Sequence, residues 1–314
     1  MKKKLKNFGL CYICLISFSI NAERFGDPGE IIAIKASGND LDKYLTVEIN
    51  KSLYKLIPLP FEKQNDSIYV DGEKININQK DFGESRITIE NNSMVNLSKE
   101  DSDRAFKESK IIKKALNNYS NFLVPDLNFM NPVEGIISSR YGKRRYINDQ
   151  PRSPHLSLDI AAAEGTKIVS PSKGKVILVG DFFYAGNYII IDHGFGLISS
   201  YSHLSSVLVD ENELIEKGQK IGEVGSTGRV TGPHLHWTVY FDGNKVNPES
   251  LIQKNYLNSV LDADLIKPST DSDKRCMPSY QFNPIDNFDL QRIIRQFVLN
   301  PLRPLPIPTP LKGL

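Results

Sequence analysis

Cysteine is scarce in this chain, with three among 314 residues, at positions 11, 14 and 276. Two fall within the first 22 residues, so the remainder keeps Cys276 alone and cannot form an intramolecular disulfide. Long runs of one charge sign are also missing. The 39 basic and 37 acidic side chains leave a formal charge of +2, which argues against nucleic acid as the main partner. The apolar stretch at residues 8–20 is shorter than the ~20 residues that span a bilayer comfortably. A content of 40% hydrophobic and 24% charged residues excludes wholesale disorder and a multi-span membrane protein. The length allows one large domain or two of ordinary size.

What is present begins with Lys2, Lys3, Lys4 and Lys6, followed by 13 uncharged, mostly apolar residues and Ser19-Ile20-Asn21-Ala22. A basic start, a short apolar core and a small terminal residue read as a secretory signal peptide over residues 1–22. An uncleaved signal anchor is the alternative, because Ile20 is a poor residue at the −3 position. A lipid anchor fits less well, since neither Cys11 nor Cys14 follows small residues. Without the leader the balance is 35 basic against 37 acidic, or −2. The expectation is an exported protein that needs no disulfide.

The pattern predicts a mainly β protein in four parts after the leader. Residues 29–97 alternate short apolar runs with turn signals such as Asp71-Gly72, as in a small β-rich domain. Residues 98–130 form a helical linker, with Ser98 as N-cap, Asp101 in the first turn and apolar residues near helical spacing to about Tyr119. Residues 131–252 return to short strands separated by turns, suggesting an antiparallel barrel or sandwich. The extension 253–314 contains a polar linker at 267–274, an amphipathic helix at 286–299 and a tail with Pro304, Pro306, Pro308 and Pro310. Those prolines favour an extended tail that packs on the surface, docks a partner or stays disordered.

The chemistry concentrates in five histidines. His155-Leu156-Ser157-Leu158-Asp159 and His234-Leu235-His236 each place polar residues two or four apart, on one face of an extended strand. A catalytic zinc takes three protein ligands and keeps an open position, and two imidazoles with one carboxylate supply such a set. Two histidines left over would suit water activation and transition-state stabilisation, and His203 stands at an expected strand end between the two patterns. His193, in Asp192-His193-Gly194, reads as structural, at a turn.

Taken together, these residues resemble the lysostaphin/LytM-type peptidoglycan endopeptidases, of glycyl-glycine or DD-endopeptidase type. The likeness runs from about Asn131 to Ile252. It rests on His155/Asp159, Tyr201-Ser202-His203-Leu204 and Gly232-Pro233-His234-Leu235-His236 in that order. Ser139-Arg140-Tyr141-Gly142, Asp159-Ile160-Ala161-Ala162, Gly186-Asn187-Tyr188, Asp192-His193-Gly194-Phe195-Gly196 and Val246-Asn247-Pro248 support it. The resemblance implies an antiparallel β-sheet or split-barrel catalytic domain. It implies Zn²⁺ held by His155, Asp159 and His236, with His203 and His234 as the catalytic, non-ligand pair. It further implies peptidoglycan cross-link peptides as substrate and a periplasmic location. Ser157 departs from the family, which usually has Gly there; on the face away from the metal it should cost little. The segment 143–154 carries Arg144, Arg145 and Arg152, which would either contact acidic groups of wall peptides or form a solvated loop.

Two rival readings share the sequence. One is a LytM-like scaffold that has lost catalysis and activates a separate wall amidase; the filled set of five residues weighs against it. The other is a binding module in which the N-terminal domain or the Pro-rich tail docks divisome or wall-enzyme partners.

Overall fold

The computed structural model describes residues 23–36, 44–49, 51–89, 96–254, 256 and 260. The expected leader, the linker at 267–274, the helix at 286–299 and the proline tail lie outside the described residues.

The N-terminal part consists of short strands: β1 (Arg24–Gly26), β2 (Ile31–Lys35), β3 (Thr46–Ile49), β4 (Ser52–Pro58), β5 (Asp66–Val70), β6 (Glu73–Ile77) and β7 (Glu84–Ile87). Strands β2, β4 and β3 form one antiparallel sheet, and β1, β6 and β5 another in which β1 runs parallel to β6. The β5–β6 hairpin turns at Asp71-Gly72, with φ of +51° and +81°, both left-handed as a two-residue hairpin loop demands. Lys55, wholly buried on β4, places its ammonium 2.9 and 2.7 Å from the two Asp71 carboxylate oxygens and so pins the turn.

Helix α1 (Lys99–Leu116) follows, and the Ser98 hydroxyl accepts the Asp101 N–H at 3.0 Å, as the sequence predicted for its cap. The remaining elements are β8 (Ile136–Ser139), β9 (Lys143–Ile147), β10 (Gln150–His155), β11 (Leu158–Ala161), β12 (Lys167–Val169) and β13 (Gly174–Phe182). After them come β14 (Gly186–Gly194), β15 (Leu197–Val207), β16 (Leu214–Ile215), β17 (Lys220–Val224), β18 (His234–Phe241), β19 (Asn244–Val246) and the short α2 (Pro248–Leu251). Ten of these strands make one sheet, ordered β16-β13-β14-β15-β18-β11-β8, with β17 joining β15 to β12 and β19 edging β18. It does not close into a barrel among the described residues.

Both faces of this sheet are covered. Ile189, Ile191, Tyr201, Leu235 and Trp237 enter the main core, while Ile190 points the other way into a cluster with Leu178, Phe182, Tyr188 and Ile198. Ile112, Ala115 and Leu116 of α1 pack on that second cluster. The N-terminal strands are not independent of this body. Ile31, Ala33, Val47, Tyr54 and Leu56 share the main core with Trp237, and Asn247 N–H donates to Gly29 O at 2.8 Å. Strand β7 pairs in parallel with β9, giving a third small sheet, β10-β9-β7.

Candidate metal centre

Strand register brings the site together. β18 lies between β15 and β11, so His236 stands opposite Asp159 on one side and Ser202 on the other. Alternation along β18 sends Leu235 fully into the core and leaves His234 and His236 on the opposite face. His155 arrives differently from the extended-strand reading. It ends β10 in the third sheet, and residues 156–157 bend the chain into β11, so His155 and Asp159 meet across a corner between two strands. His203 lies within β15 rather than at its end, at φ +67°. Two residues there, 202 and 203, fall between the β14 pairings of Tyr201 and Leu204, a bulge that re-aims the imidazole. A left-handed histidine is costly and is found where surroundings over-determine it. Here its N–H donates to Ala185 O at 2.7 Å.

The Oδ1 atom of Asp159 lies 3.0 Å from His155 Nε2 and 2.6 Å from His236 Nδ1, and those nitrogens are 3.4 Å apart. His155 Nδ1 faces the Arg140 carbonyl at 3.2 Å. A carbonyl only accepts, so Nδ1 carries the hydrogen and the Nε2 lone pair faces Asp159. The same logic applies to the other pair. His203 Nδ1–H donates to Thr227 O and His234 Nδ1–H to Gly232 O, both at 2.8 Å, which leaves each Nε2 as an acceptor. The His203 and His234 rings stand 5.0 Å apart, and His203 is 5.7 Å from His236. Asp159 and His236 keep 15% and 23% of their side-chain surface exposed, so solvent reaches the centre.

Burial opposes charge on Asp159, but the charge and hydrogen bonds of His236 and His155 hold its carboxyl well below the usual range. Burial pushes His236 down to about 4 despite the pull of Asp159. It pushes His203 down to about 3, reinforced by repulsion from His236 and His234. Two imidazole nitrogens and a carboxylate oxygen lie within 3.4 Å of one another, with the Nε2 lone pair of His155 turned toward the group. The donor set of His155, Asp159 and His236 therefore fits a divalent metal of zinc's preferences. The set His203, His234 and His236 is also close enough to share an ion, but it lacks a carboxylate.

The supporting residues complete the picture. Ser157, expected to be tolerated on the far face, is buried and pairs with Thr238 Oγ1 at 2.7 Å. His193 is wholly buried in β14 rather than at the turn. Its Nδ1–H donates to Lys173 O, and its Nε2 accepts from Ser199, whose oxygen in turn accepts the Tyr201 hydroxyl. Thr227 escaped sequence reasoning. Its carbonyl orients His203, and its hydroxyl accepts from Asn187 N–H and donates to Leu204 O. Gly228, at φ +74°, lets that loop approach: a Cβ there would lie 2.5 Å from Gly186 N. The only signal was the glycine-rich Gly225-Ser226-Thr227-Gly228.

Such an arrangement, two imidazoles and a carboxylate with two spare imidazoles beside them, is the donor set of a metal-dependent hydrolase. Residues 153–248 match Peptidase family M23. The chain is 41% identical over 112 residues to the peptidoglycan DD-endopeptidase ShyA of Vibrio cholerae, covering 35% of this chain and 26% of that protein. It is 45% identical over 86 residues to ShyB of the same organism, also named a peptidoglycan DD-endopeptidase, covering 27% and 20%. The chain thus spans about a quarter or less of the length of these curated relatives. A crystal structure from Pseudomonas aeruginosa, described as a candidate M23 peptidase, superposes with a TM-score of 0.56 at 28% identity. It covers 72% of this chain and 94% of the other, so the likeness extends beyond the M23 segment.

Proposed function

We propose that the protein is an exported zinc metalloendopeptidase that hydrolyses cross-link peptide bonds of peptidoglycan during wall remodelling or septation. The observation that carries this reading is the convergence of His155, Asp159 and His236 on one point, with the Nε2 atoms of His203 and His234 facing the same space. The DD-endopeptidase names of ShyA and ShyB favour D-alanyl–diaminopimelate cross-links over glycine bridges. In this reading residues 1–22 are a leader, the protein acts in the periplasm, and 253–314 is an extension available to partners.

His155, Asp159 and His236 would hold the zinc, which when bound supplies Lewis-acid polarisation and acidifies water. The chain's own part is proton handling. With each Nδ1–H tied to a carbonyl, Nε2 is the nitrogen of His203 and of His234 that is left to accept a proton. One of them takes the proton of the attacking water. That ring then becomes a donor, and it stabilises the oxyanion or returns the proton to the leaving amine. Burial, and after it repulsion from His236 and His234, disfavours the charged form of His203, so a proton taken there is readily passed on. A scaffold would have no use for this pairing.

The test is mass analysis of muropeptides from purified wall material treated with zinc-loaded protein lacking residues 1–22. Conversion of cross-linked dimers to monomers is expected. Untouched dimers, with stoichiometric zinc in the protein, would overturn the hydrolase and favour the scaffold.

A further inference from the structure

Three arginines border the metal centre with no acidic side chain paired to them among the described residues. Arg145 on β9 and Arg152 on β10 are direct cross-strand partners, a juxtaposition of like charge that destabilises a sheet. Arg229 comes from the loop that anchors His203; its backbone N–H donates to Tyr184 O at 3.1 Å, and its guanidinium lies 4.2 Å from the Tyr184 ring centroid. All three are half-buried. Arg152 donates only to neutral oxygens, Pro151 O and Gln150 Oε1. The Arg145 guanidinium makes no hydrogen bond or ion pair among the described residues, though it lies within electrostatic reach of Asp159, His236 and Arg229. Nearby acids are engaged elsewhere. Asp149 reaches Arg86 at 3.4 Å, Asp81 reaches Arg144 at 3.5 Å, and Asp159 Oδ1 is turned to His155 and His236 at 3.0 and 2.6 Å.

Partly desolvated guanidiniums that repel one another and lack a counter-charge are arranged for an anion from outside. Their planar forks suit a carboxylate. We propose that Arg145, Arg152 and Arg229 form a carboxylate-binding subsite that recognises a free carboxylate of the peptide substrate beside the bond to be cut. The proposal rests on the hydrolase reading for the identity of that peptide. It separates the segment 143–154 into a solvated residue, Arg144, and two binding residues, Arg145 and Arg152, and adds Arg229 from a distant part of the chain.

The test uses the full-length protein and two synthetic stem tetrapeptides ending in D-alanine, one with free side-chain carboxylates and one with those groups amidated. Neither contains a cross-link, so calorimetric affinity is read without turnover. The acid form is expected to bind about tenfold more tightly than the amide. Arg145→Gln and Arg229→Gln should each remove most of that preference, Arg145→Lys should retain part of it, and affinity for the amide should stay unchanged. Thermal unfolding at or above the unsubstituted midpoint shows that the variants fold. Equal binding of the two peptides, or a preference that survives in both Gln variants, would overturn the subsite. Cleavage of a cross-linked dimer is measured separately. Dimer cleavage without acid preference sinks the subsite and leaves the hydrolase, whereas acid preference without cleavage supports the subsite and sinks the hydrolase.

Discussion

His193 offers a quantitative check on how the sheet beneath the site is held. Its ring is wholly buried and neutral, with Nδ1–H on Lys173 O and Nε2 accepting from Ser199, both at 2.7 Å. Burial outweighs the hydrogen bond to Lys173 and the nearby Asp192 carboxylate, and it takes the imidazole from the ordinary 6.5 down to about 4. The unfolded chain binds a proton at this residue as the pH falls through 6.5, while the folded chain does not until about 4. Stability from His193 is therefore complete above 6.5, declines as the pH drops through this window, and levels off below about 4. Between about pH 7 and about pH 4.5 the loss comes to about 2 kcal/mol. Asp159, His203 and His236 also titrate, so the contribution of His193 is isolated by comparison with His193→Gln, which keeps an amide donor for Lys173 O but does not titrate. Urea unfolding of both proteins at the two pH values gives the double difference. The stability gap between unsubstituted protein and variant should narrow by about 2 kcal/mol on acidification. Parallel pH profiles would refute the claim that a buried, neutral imidazole braces Ser199 and Tyr201.

Other expectations concern the centre and its supports. His155→Ala and His236→Ala should each abolish stoichiometric zinc by elemental analysis, and His236→Ala with full metal and full activity would refute the ligand assignment. His203→Ala should keep the metal and lose ~10²–10⁴-fold in kcat on cross-linked muropeptides. Ser157→Gly removes the hydroxyl pair with Thr238 and should cost about 1–2 kcal/mol in urea unfolding without changing zinc content. Asp71→Ala strands the buried Lys55 ammonium and should cost about 3–5 kcal/mol, whereas Lys55→Met should cost much less, as compared by thermal melts.

Local chemistry made part of this molecule legible in advance. The Asp71-Gly72 hairpin and the Ser98 cap depend on residues that touch neighbours in sequence, and both appear as predicted. Ligand-like spacing singled out His155, Asp159, His234 and His236, the family resemblance supplied the role given to His203, and strand alternation placed His234 and His236 on one face, as they stand in β18. Non-local pairing escaped the sequence. Nothing in Glu84-Ser85-Arg86-Ile87 announces a parallel partner sixty residues later. Ile189, Ile190 and Ile191 do not alternate because α1 covers the face that would otherwise meet water. The bulge at His203 depends on the β14 register, and the corner at residues 156–157 on which sheet each flanking strand joins. Arg229 became a candidate only when its loop was seen folded against Tyr184.

The parallel pairing of β7 with β9 bears on how the molecule can be dissected. β9 is flanked by β10 on one side and by β7 on the other. Trimming the chain to residues 131–252 would strip away that cover and bare a row of backbone donors and acceptors along Lys143–Ile147. An uncovered border of this kind invites self-association through added strands. Loss or gain of activity in such a fragment would then report on a damaged border as much as on the role of the missing N-terminal strands. Point substitutions at the β7–β9 seam are the cleaner way to ask what the N-terminal region does.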